Sequence, residues 1–310
     1  MIRIELMKII AIILFSLNPI LWASFYATGR HALDFVDPFV FSAAELSIAG
    51  LPALVILLLT WRRITLRTLK QGVMLGMVLY AGVFTSTWAL AYTTATDTGF
   101  YPATNGFIAT LIAWLVFRKP VNRSSWLAGL FSVGGAIILI SQTRQDGGHW
   151  SGELIALLAA IIYTIYIFCT DELTQGDERA LWPICAIELI TLAVLADGVA
   201  VLSGKVTATS HQAIVAIWPA LIYAGVMTTF LPTAISIFFQ RYVNPVSVAF
   251  LYILEPIWAA LIAHLWLHET LTITGYLGGG LIVLGAGVKT WSATNQTMLK
   301  PIEARLDFYE

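Results

Sequence analysis

The stretch from Asn244 to Glu269, NPVSVAFLYILEPIWAALIAHLWLHE, constrains this chain more than any other. Its apolar run is long enough to cross a hydrocarbon core of about 30 Å as a helix. Glu255 and Pro256 stand side by side at its centre, where a charge costs at least about 2.5 kcal/mol unless it faces a cavity or a partner. Proline has no backbone N–H, so the carbonyl one turn earlier loses its hydrogen-bond donor within the helix. A polar cavity can satisfy that carbonyl, whereas lipid cannot. The stretch therefore predicts a helix that lines an internal site.

Composition places the whole chain in a membrane. Of 310 residues, 58% are hydrophobic and 11% are charged, and the mean hydropathy is +0.82, whereas a soluble domain carries about 25% charged residues. The net charge of −1 with scattered basic residues predicts no nucleic-acid partner. Cys169 and Cys185 form neither a disulfide framework nor a metal-site spacing. The bilayer and a small-molecule substrate are the partners we expect, with no cofactor.

Apolar runs of helical length predict an all-α integral membrane protein with ten transmembrane helices. The first is interpreted as a retained span, since its apolar run has no small-residue cleavage site. Of the 17 lysines and arginines, only Arg30, Arg144 and Lys205 fall on the outer side if the N-terminus is inside. The positive-inside rule then predicts that both termini are cytoplasmic. The predicted spans are 8–28, 38–60, 71–93, 98–117, 124–142, 152–170, 181–203, 213–238, 245–267 and 272–291.

Two blocks of sequence repeat within the chain. ATLIAWL (109–115) resembles AALIAHL (259–265) at an offset of 150, and YAGVFTS (80–86) resembles YAGVMTT (223–229) at an offset of 143. Each half then holds five spans, and an odd number forces the halves into opposite orientations. Inverted repeats with broken helices at their interface are typical of secondary transporters.

The domain organisation follows from these repeats. It is predicted as a first five-helix repeat, a second five-helix repeat and a cytoplasmic tail, over 8–142, 152–291 and 292–310.

The second-half motifs NPVSVAFLYILEPIW and LWLHETLTITGYLGGGLIVLGAGV resemble the EamA-type, ten-helix branch of the drug/metabolite transporter superfamily. The resemblance extends over about 8–291. It implies a transporter of small metabolites, a family activity that includes amino acids, nucleobases, sugars and drugs. In the first half, Asn105-Gly106 and Lys119 stand where the second half has Glu255-Pro256 and Glu269, so one half lacks the central carboxylate.

Glu255 is the first candidate for substrate binding, either to a cargo ammonium group or as a proton acceptor. The alternative is a protonated carboxyl bonded to a neighbouring helix, since burial disfavours the charged form. Glu45 and Glu188 occupy equivalent places in the two halves. They are candidate proton acceptors or gating residues, and the alternative is that each caps or hydrogen-bonds a neighbouring helix. His264 is a further proton candidate because its ordinary pKa is near physiological pH. With His268 it has a metal-compatible spacing, but no metal site is predicted, since both lie where the span ends.

Aromatic residues on the predicted lining helices suit a flat or cationic cargo through stacking and cation–π contact, although most membrane aromatics fill helix packing or anchor interfaces. Trp258 is the first of these because it shares a helix face with Glu255. Asn18 and Asn105 are candidate polar contacts to the substrate, or else they form hydrogen bonds between helices. The prolines at Asn18-Pro19, Pro102 and Pro232 are expected to break their helices. The remaining substrate-binding candidates are aromatic: Tyr80, Tyr223, Tyr101, Trp88 and Tyr252.

The last predicted span carries Gly275 and Gly278 to Gly280, a small-residue surface that suits packing against Gly129, Gly134 and Gly135 of the fifth span. The same glycine surface could instead mediate self-association, so the chain is expected to be a monomer or a homodimer.

The favoured function is a secondary carrier, an exporter or exchanger of small metabolites such as amino acids across the cytoplasmic membrane by alternating access. A proton-coupled drug, nucleobase or sugar transporter is the alternative within the same fold. A polytopic membrane enzyme is disfavoured because the chain has no GxSxG or HExxH motif. A channel is disfavoured because the spans are apolar with isolated polar points.

Overall fold

A computed structural model describes residues 2–116, 118, 123–145, 150–270, 272–285 and 287–288. Within these residues the chain forms helices and turns and no strand. The predicted tail 292–310 and Lys119 lie outside the described residues. The helices are α1 (Ile2–Ala32), α2 (Pro38–Thr60), α3 (Leu66–Leu90), α4 (Ala95–Phe100), α5 (Asn105–Leu115), α6 (Arg123–Gln145), α7 (Trp150–Leu173), α8 (Leu181–Leu202), α9 (Ala208–Ala216), α10 (Trp218–Tyr223), α11 (Leu231–Phe239), α12 (Pro245–Leu251), α13 (Glu255–Leu267) and α14 (Ile273–Gly285).

The distribution of side chains is that of a membrane protein. Large apolar side chains are widely exposed, with Leu59 80% and Leu202 88% accessible, while Glu45, Glu188 and Glu255 are completely buried. Water would oppose this arrangement and lipid favours it.

Among the residues that the structure describes, six helical stretches are long and apolar enough to cross a bilayer, and shorter apolar helices accompany them. The all-helical membrane fold is therefore confirmed, and the count of ten crossings stays a prediction. The six are Glu5–Ala32, Pro38–Arg63, Leu66–Leu90, Trp150–Leu173, Glu178–Leu202 and Trp218–Tyr242.

Two of the helical passes are broken by a 3-10 turn. Tyr101–Thr104 separates α4 from α5, and Tyr252–Leu254 separates α12 from α13. Asn105 and Glu255, which the 150-residue offset pairs, are each the first residue after the break. The carbonyl freed by Pro256 does not face the cavity as expected, because the Tyr252 carbonyl accepts the Glu255 N–H three residues on. Tight 3-10 geometry thus satisfies the backbone at the break.

The two broken passes lie side by side and antiparallel. α4 packs on α13, α5 packs on α12, and the two 3-10 turns touch. A side chain at Gly99 of α4 would overlap the Ala259 methyl of α13. The absence of a Cβ at this position lets the backbones approach closely.

Small residues also bring α6 and α14 together, as predicted for Gly135 and Gly278, whereas a Cβ at Gly129 would meet Phe107 of α5 and one at Gly279 would meet Phe100 of α4. A Cβ at Gly135 would meet the Gly278 carbonyl and Ile282, and one at Gly285 would meet the Ala128 carbonyl. Nothing lies within 4 Å of a Cβ at Gly134 or Gly280, and self-association stays a prediction.

The other prolines behave differently from one another. α1 continues through Asn18-Pro19 without the expected break, since membrane helices tolerate a proline where their surroundings satisfy the freed backbone groups. Pro232 does follow an irregular segment, the π-helical turn Ala224–Phe230, here called the π segment. Such turns add one residue to a helix and are frequent at functional sites. The π segment packs on α2.

Candidate functional site

A small cavity lies among α1, α2, α3, α7, the π segment and α11. Its volume is about 20 Å³, which is room for roughly one water. Its wall combines aromatic rings, hydroxyl groups and one carboxylate, and consists of Trp22, Phe25, Tyr26, Glu45, Leu79, Val83, Tyr163, Thr228, Thr229 and Thr233.

Glu45 of α2 places its carboxylate in this cavity. The Thr229 hydroxyl, on the π segment, donates a hydrogen bond of 2.7 Å to Oε1. Oε2 is buried and has no hydrogen-bond partner among the described residues. A buried polar atom without a partner costs about 1–3 kcal/mol, so native proteins supply water or a ligand at such a position. The cavity provides the space for one.

Glu255 reaches the same cavity through Tyr26. The Tyr26 ring lines the cavity and its hydroxyl donates a 2.5 Å hydrogen bond to Glu255 Oε1. Glu255 Oε2, like that of Glu45, is buried and unpartnered within the described part of the chain. Both carboxylates therefore have one oxygen held by a hydroxyl and one available to a proton, a water or a cargo cation.

Tyr163 of α7 lines the cavity with Glu45 and is close enough to interact electrostatically with both Glu45 and Glu255. Its ring centroid is 5.4 Å from that of Trp22, which in turn lies 4.9 Å from that of Tyr252. An aromatic wall next to carboxylates is a common site for organic cations, since ring faces attract positive charge.

Asn18 extends the polar surface beyond this wall. Its side chain lies beside the Tyr252 hydroxyl, as does Ser236, although neither amide atom of Asn18 makes a hydrogen bond of regular geometry with a described residue. Asn105 is equally buried, and no described residue bonds its amide.

None of the six aromatic candidates is in the described wall of the cavity, Tyr252 included. Tyr80 and Trp88 flank Phe84 on α3, with ring centroids 5.8 and 6.1 Å from it, and Trp88 is 41% exposed. Trp258 is half-buried against the hydrophobic cluster that contains Tyr26. It packs behind the site.

Tyr223 and Tyr101 take part in contacts between helices. The Tyr223 hydroxyl lies 2.8 Å from the Ser24 hydroxyl and so joins α10 to α1. Tyr101 is completely buried and lies beside Glu153 of α7 and Asp97 of α4. Both tyrosines are outside the wall of the cavity.

Glu188 and His264 also lie apart from the cavity. The Tyr166 hydroxyl donates a 2.8 Å hydrogen bond to Glu188 Oε1, and Oε2 has no partner among the described residues. His264 is exposed, with Nδ1 3.0 Å from the Glu269 carbonyl oxygen. No cluster of three metal-ligating side chains occurs in the described ranges.

Glu269 has a structural contact that its sequence position did not reveal. Its carboxylate accepts hydrogen bonds from the backbone N–H groups of Ala95 and Thr96, both at 3.0 Å, and from the Thr96 hydroxyl at 2.6 Å. It therefore caps the start of α4, where backbone donors lack helical partners and the helix dipole favours a negative charge. The end of one broken pass thus holds the beginning of the other.

Sequence reasoning missed Tyr26 and Thr229, the two hydroxyl donors that hold the cavity carboxylates. Thr229 ends the repeated block YAGVMTT, which was a usable signal, and its counterpart Ser86 is also buried. Tyr26 belongs to no repeat or motif. Only its distant contact with Glu255 identifies it.

The comparisons with known proteins agree with this structure. The sequence profile of the EamA-like transporter family matches residues 9–141 and again 150–290. An uncharacterized transporter of Archaeoglobus fulgidus is 26% identical over 272 residues, 87% of this chain and 82% of that protein. A crystal structure with 17% sequence identity superposes with a TM-score of 0.61 over 94% of this chain and 98% of the other, which shows a shared fold. The chain therefore belongs to the EamA-like transporter family, as its motifs predicted.

Proposed function

We propose that this protein is a secondary transporter that moves small metabolites such as amino acids across the cytoplasmic membrane by alternating access, as an exporter or exchanger. The observation that carries the proposal is a pair of buried carboxylates at one cavity: Glu45 lines it, and Glu255 is hydrogen-bonded to Tyr26 of its wall. Each has one oxygen fixed by a hydroxyl donor and one without a partner among the described residues.

This arrangement favours a cargo with a positive group and an apolar part. An ammonium group supplies the donors that the two free carboxylate oxygens lack, and Trp22 and Tyr163 offer ring faces to it. Each cation–π contact contributes about 0.5–2 kcal/mol. Since the described wall contains no basic side chain, a phosphate or dicarboxylate cargo would meet repulsion there.

The proposed architecture is ten transmembrane helices in two inverted five-helix repeats. Three observations support it: the breaks before Asn105 and Glu255 fall at the repeat offset, the broken passes run antiparallel, and the family profile matches each half separately. With this topology and the distribution of basic residues, both termini lie in the cytoplasm.

Transport requires the helices around the cavity to move. A space of about 20 Å³ holds a water and no amino acid, so the cargo enters a wider form of the same site. The 3-10 breaks and the π segment are suitable hinges, because irregular turns absorb changes in backbone angles.

Proton-coupled transport of another cargo is the second candidate. The same unpartnered carboxylate oxygens that suit an ammonium group also suit a proton, and intramembrane carboxylates frequently form proton relays. A drug, nucleobase or sugar would then bind mainly to the aromatic wall.

Counterflow in proteoliposomes tests the proposal. Vesicles loaded with single unlabelled amino acids are compared for wild type, Glu255→Gln and Glu45→Gln, with and without a pH gradient. Asp197→Asn is the control, because this carboxylate also accepts from a hydroxyl, that of Ser47 at 3.0 Å, but lies outside the cavity wall.

We expect accumulation of labelled amino acid by wild type and Asp197→Asn, and its loss in both glutamine variants. Dependence on the gradient identifies proton coupling. If the folded protein exchanges no amino acid, the proposal that amino acids are the cargo is refuted. If exchange survives both glutamine substitutions, the proposed binding site is refuted.

A further inference from the structure

A second cavity, larger than the first, lies at the end of the bundle where α2 joins α3 and α7 leads into α8. Its volume is about 430 Å³ and its wall includes Arg63, Arg67 and Arg179, with Asp177 as the one carboxylate of the described lining. These residues lie on the side that the positive-inside rule assigns to the cytoplasm. We call it the arginine cavity.

The charge of the arginine cavity is not neutralised within the described part of the chain. Arg63, Arg67 and Arg179 take part in none of the ion pairs found there. The Asp177 carboxylate is engaged in capping, since it accepts the backbone N–H of Arg179 at 2.9 Å. A concave surface with an excess of positive charge concentrates anions from solution.

The backbone reinforces this preference. α3 begins at Leu66, between two of the arginines, and Thr65 caps it from within the cavity wall. The positive end of a helix dipole favours an anion. Arginine supplies planar pairs of donors that match phosphate oxygens, and Thr65 adds a hydroxyl.

A partly apolar groove adjoins the arginine cavity. A neighbouring cavity of about 530 Å³ shares Arg67 and Gln71 with it, and the rest of its described lining consists of Leu66, Lys70, Met74, Glu172 and Leu173. Leu66 and Met74 are 68% and 45% exposed. The combination of a cationic pocket with an adjoining exposed apolar face suits a phosphate group attached to an acyl chain.

We propose that the arginine cavity binds a phosphate-bearing anion. The membrane source of this chemistry is the headgroup of an anionic phospholipid, with its chain along Leu66 and Met74, and the soluble source is inorganic phosphate. The bound anion bridges the α2–α3 connection of the first half and the α7–α8 connection of the second. This site is separate from the cargo cavity and is independent of the transported substrate.

Thermal unfolding of the full chain in detergent measures the binding. The unfolding temperature is titrated with dihexanoyl phosphatidylglycerol, dihexanoyl phosphatidylcholine, inorganic phosphate and sodium chloride at matched ionic strength. Arg179→Gln is compared with Arg62→Gln, a matched control at the same end whose guanidinium lies 5.3 Å over the exposed Trp61 ring and does not line the cavity.

We expect phosphatidylglycerol to stabilise the wild type in a saturable way and Arg179→Gln to weaken its apparent affinity about tenfold, as the loss of a charged hydrogen bond implies. Arg62→Gln leaves the affinity unchanged. Stabilisation by inorganic phosphate with the same dependence on Arg179 supports the site and identifies the soluble source. The proposal is overturned if the two substitutions have equal effects or if sodium chloride stabilises the protein equally. It is also overturned if neither phosphate compound gives saturable stabilisation.

Discussion

Gly225→Ala tests the contact between the π segment and α2. A Cβ at Gly225 would lie 2.7 Å from the Glu45 carbonyl oxygen and 2.8 Å from Ile48 Cγ2, whereas carbon contacts are optimal at about 3.5–4.0 Å. The carbonyl belongs to a helix and has no free rotation, so α2 and the π segment must separate. Overpacking of this kind costs about 1–3 kcal/mol, and the gain of about 0.5–1 kcal/mol from alanine in a helix offsets part of it.

Because the closest atom is helix backbone, the cost lies at the upper end of that range and the expected net loss is about 2 kcal/mol, which lowers the unfolding temperature by a few degrees. Thermal unfolding in detergent measures it. Gly134→Ala is the matched control, because nothing lies within 4 Å of a Cβ at that position, and its stability should equal or slightly exceed that of wild type.

Gly82, which the 143-residue offset pairs with Gly225, provides a graded comparison. A Cβ there would lie 3.2 Å from the Tyr163 ring, and a side chain gives way more easily than backbone. Gly82→Ala should therefore cost less than Gly225→Ala. The packing argument is refuted if Gly225→Ala is as stable as wild type, or if Gly134→Ala loses as much.

Three further substitutions probe the hydrogen bonds that hold the site. Glu269→Gln weakens the cap on α4 and should cost about 1 kcal/mol, measured by thermal unfolding. Tyr26→Phe removes the donor to Glu255 and should cost about 1–3 kcal/mol of stability, with a change in the apparent affinity for cargo in counterflow. Thr229→Val keeps the shape of the side chain but leaves Glu45 without its donor, and the same range of destabilisation is expected.

The controls for these variants come from comparable bonds elsewhere. Tyr242→Phe removes a hydroxyl that donates to the exposed Glu178 at 3.3 Å, and it should change stability little because water replaces the bond. A loss as large as that of Tyr26→Phe would show that hydroxyl removal alone explains both. Cargo affinity unchanged by Tyr26→Phe and Thr229→Val would separate these residues from transport.

Local patterns in the sequence predicted the main features of the fold. The apolar runs predicted membrane helices, Pro102 predicted the break between α4 and α5, and the spaced glycines predicted the contact of Gly135 on α6 with Gly278 on α14. Each of these follows from residues close together in the chain. The break at Asn18-Pro19 was wrongly expected, since a proline alone does not reveal whether neighbouring helices will support the backbone around it.

The partners of the site could not be predicted in the same way. Tyr26 and Glu255 are 229 positions apart, and Glu45 and Thr229 are 184 apart. Periodicity indicates which face of a helix is buried, but not which residue of another helix meets it. For the same reason Trp258, on the predicted face, packs behind the cavity, while Tyr26 occupies its wall.

Direct binding tests most sharply whether Glu45 and Glu255 form a site for a cargo cation. Purified protein is incubated with single radiolabelled amino acids, and bound label is measured for wild type, Glu255→Gln, Glu45→Gln and Asp197→Asn. Each amino acid that binds is then competed with its analogue lacking the amino group. The account predicts binding to wild type and Asp197→Asn, a loss of at least about tenfold in both glutamine variants, and no competition by the deaminated analogue. Binding that survives both glutamine substitutions, or equal competition by the deaminated analogue, would contradict it.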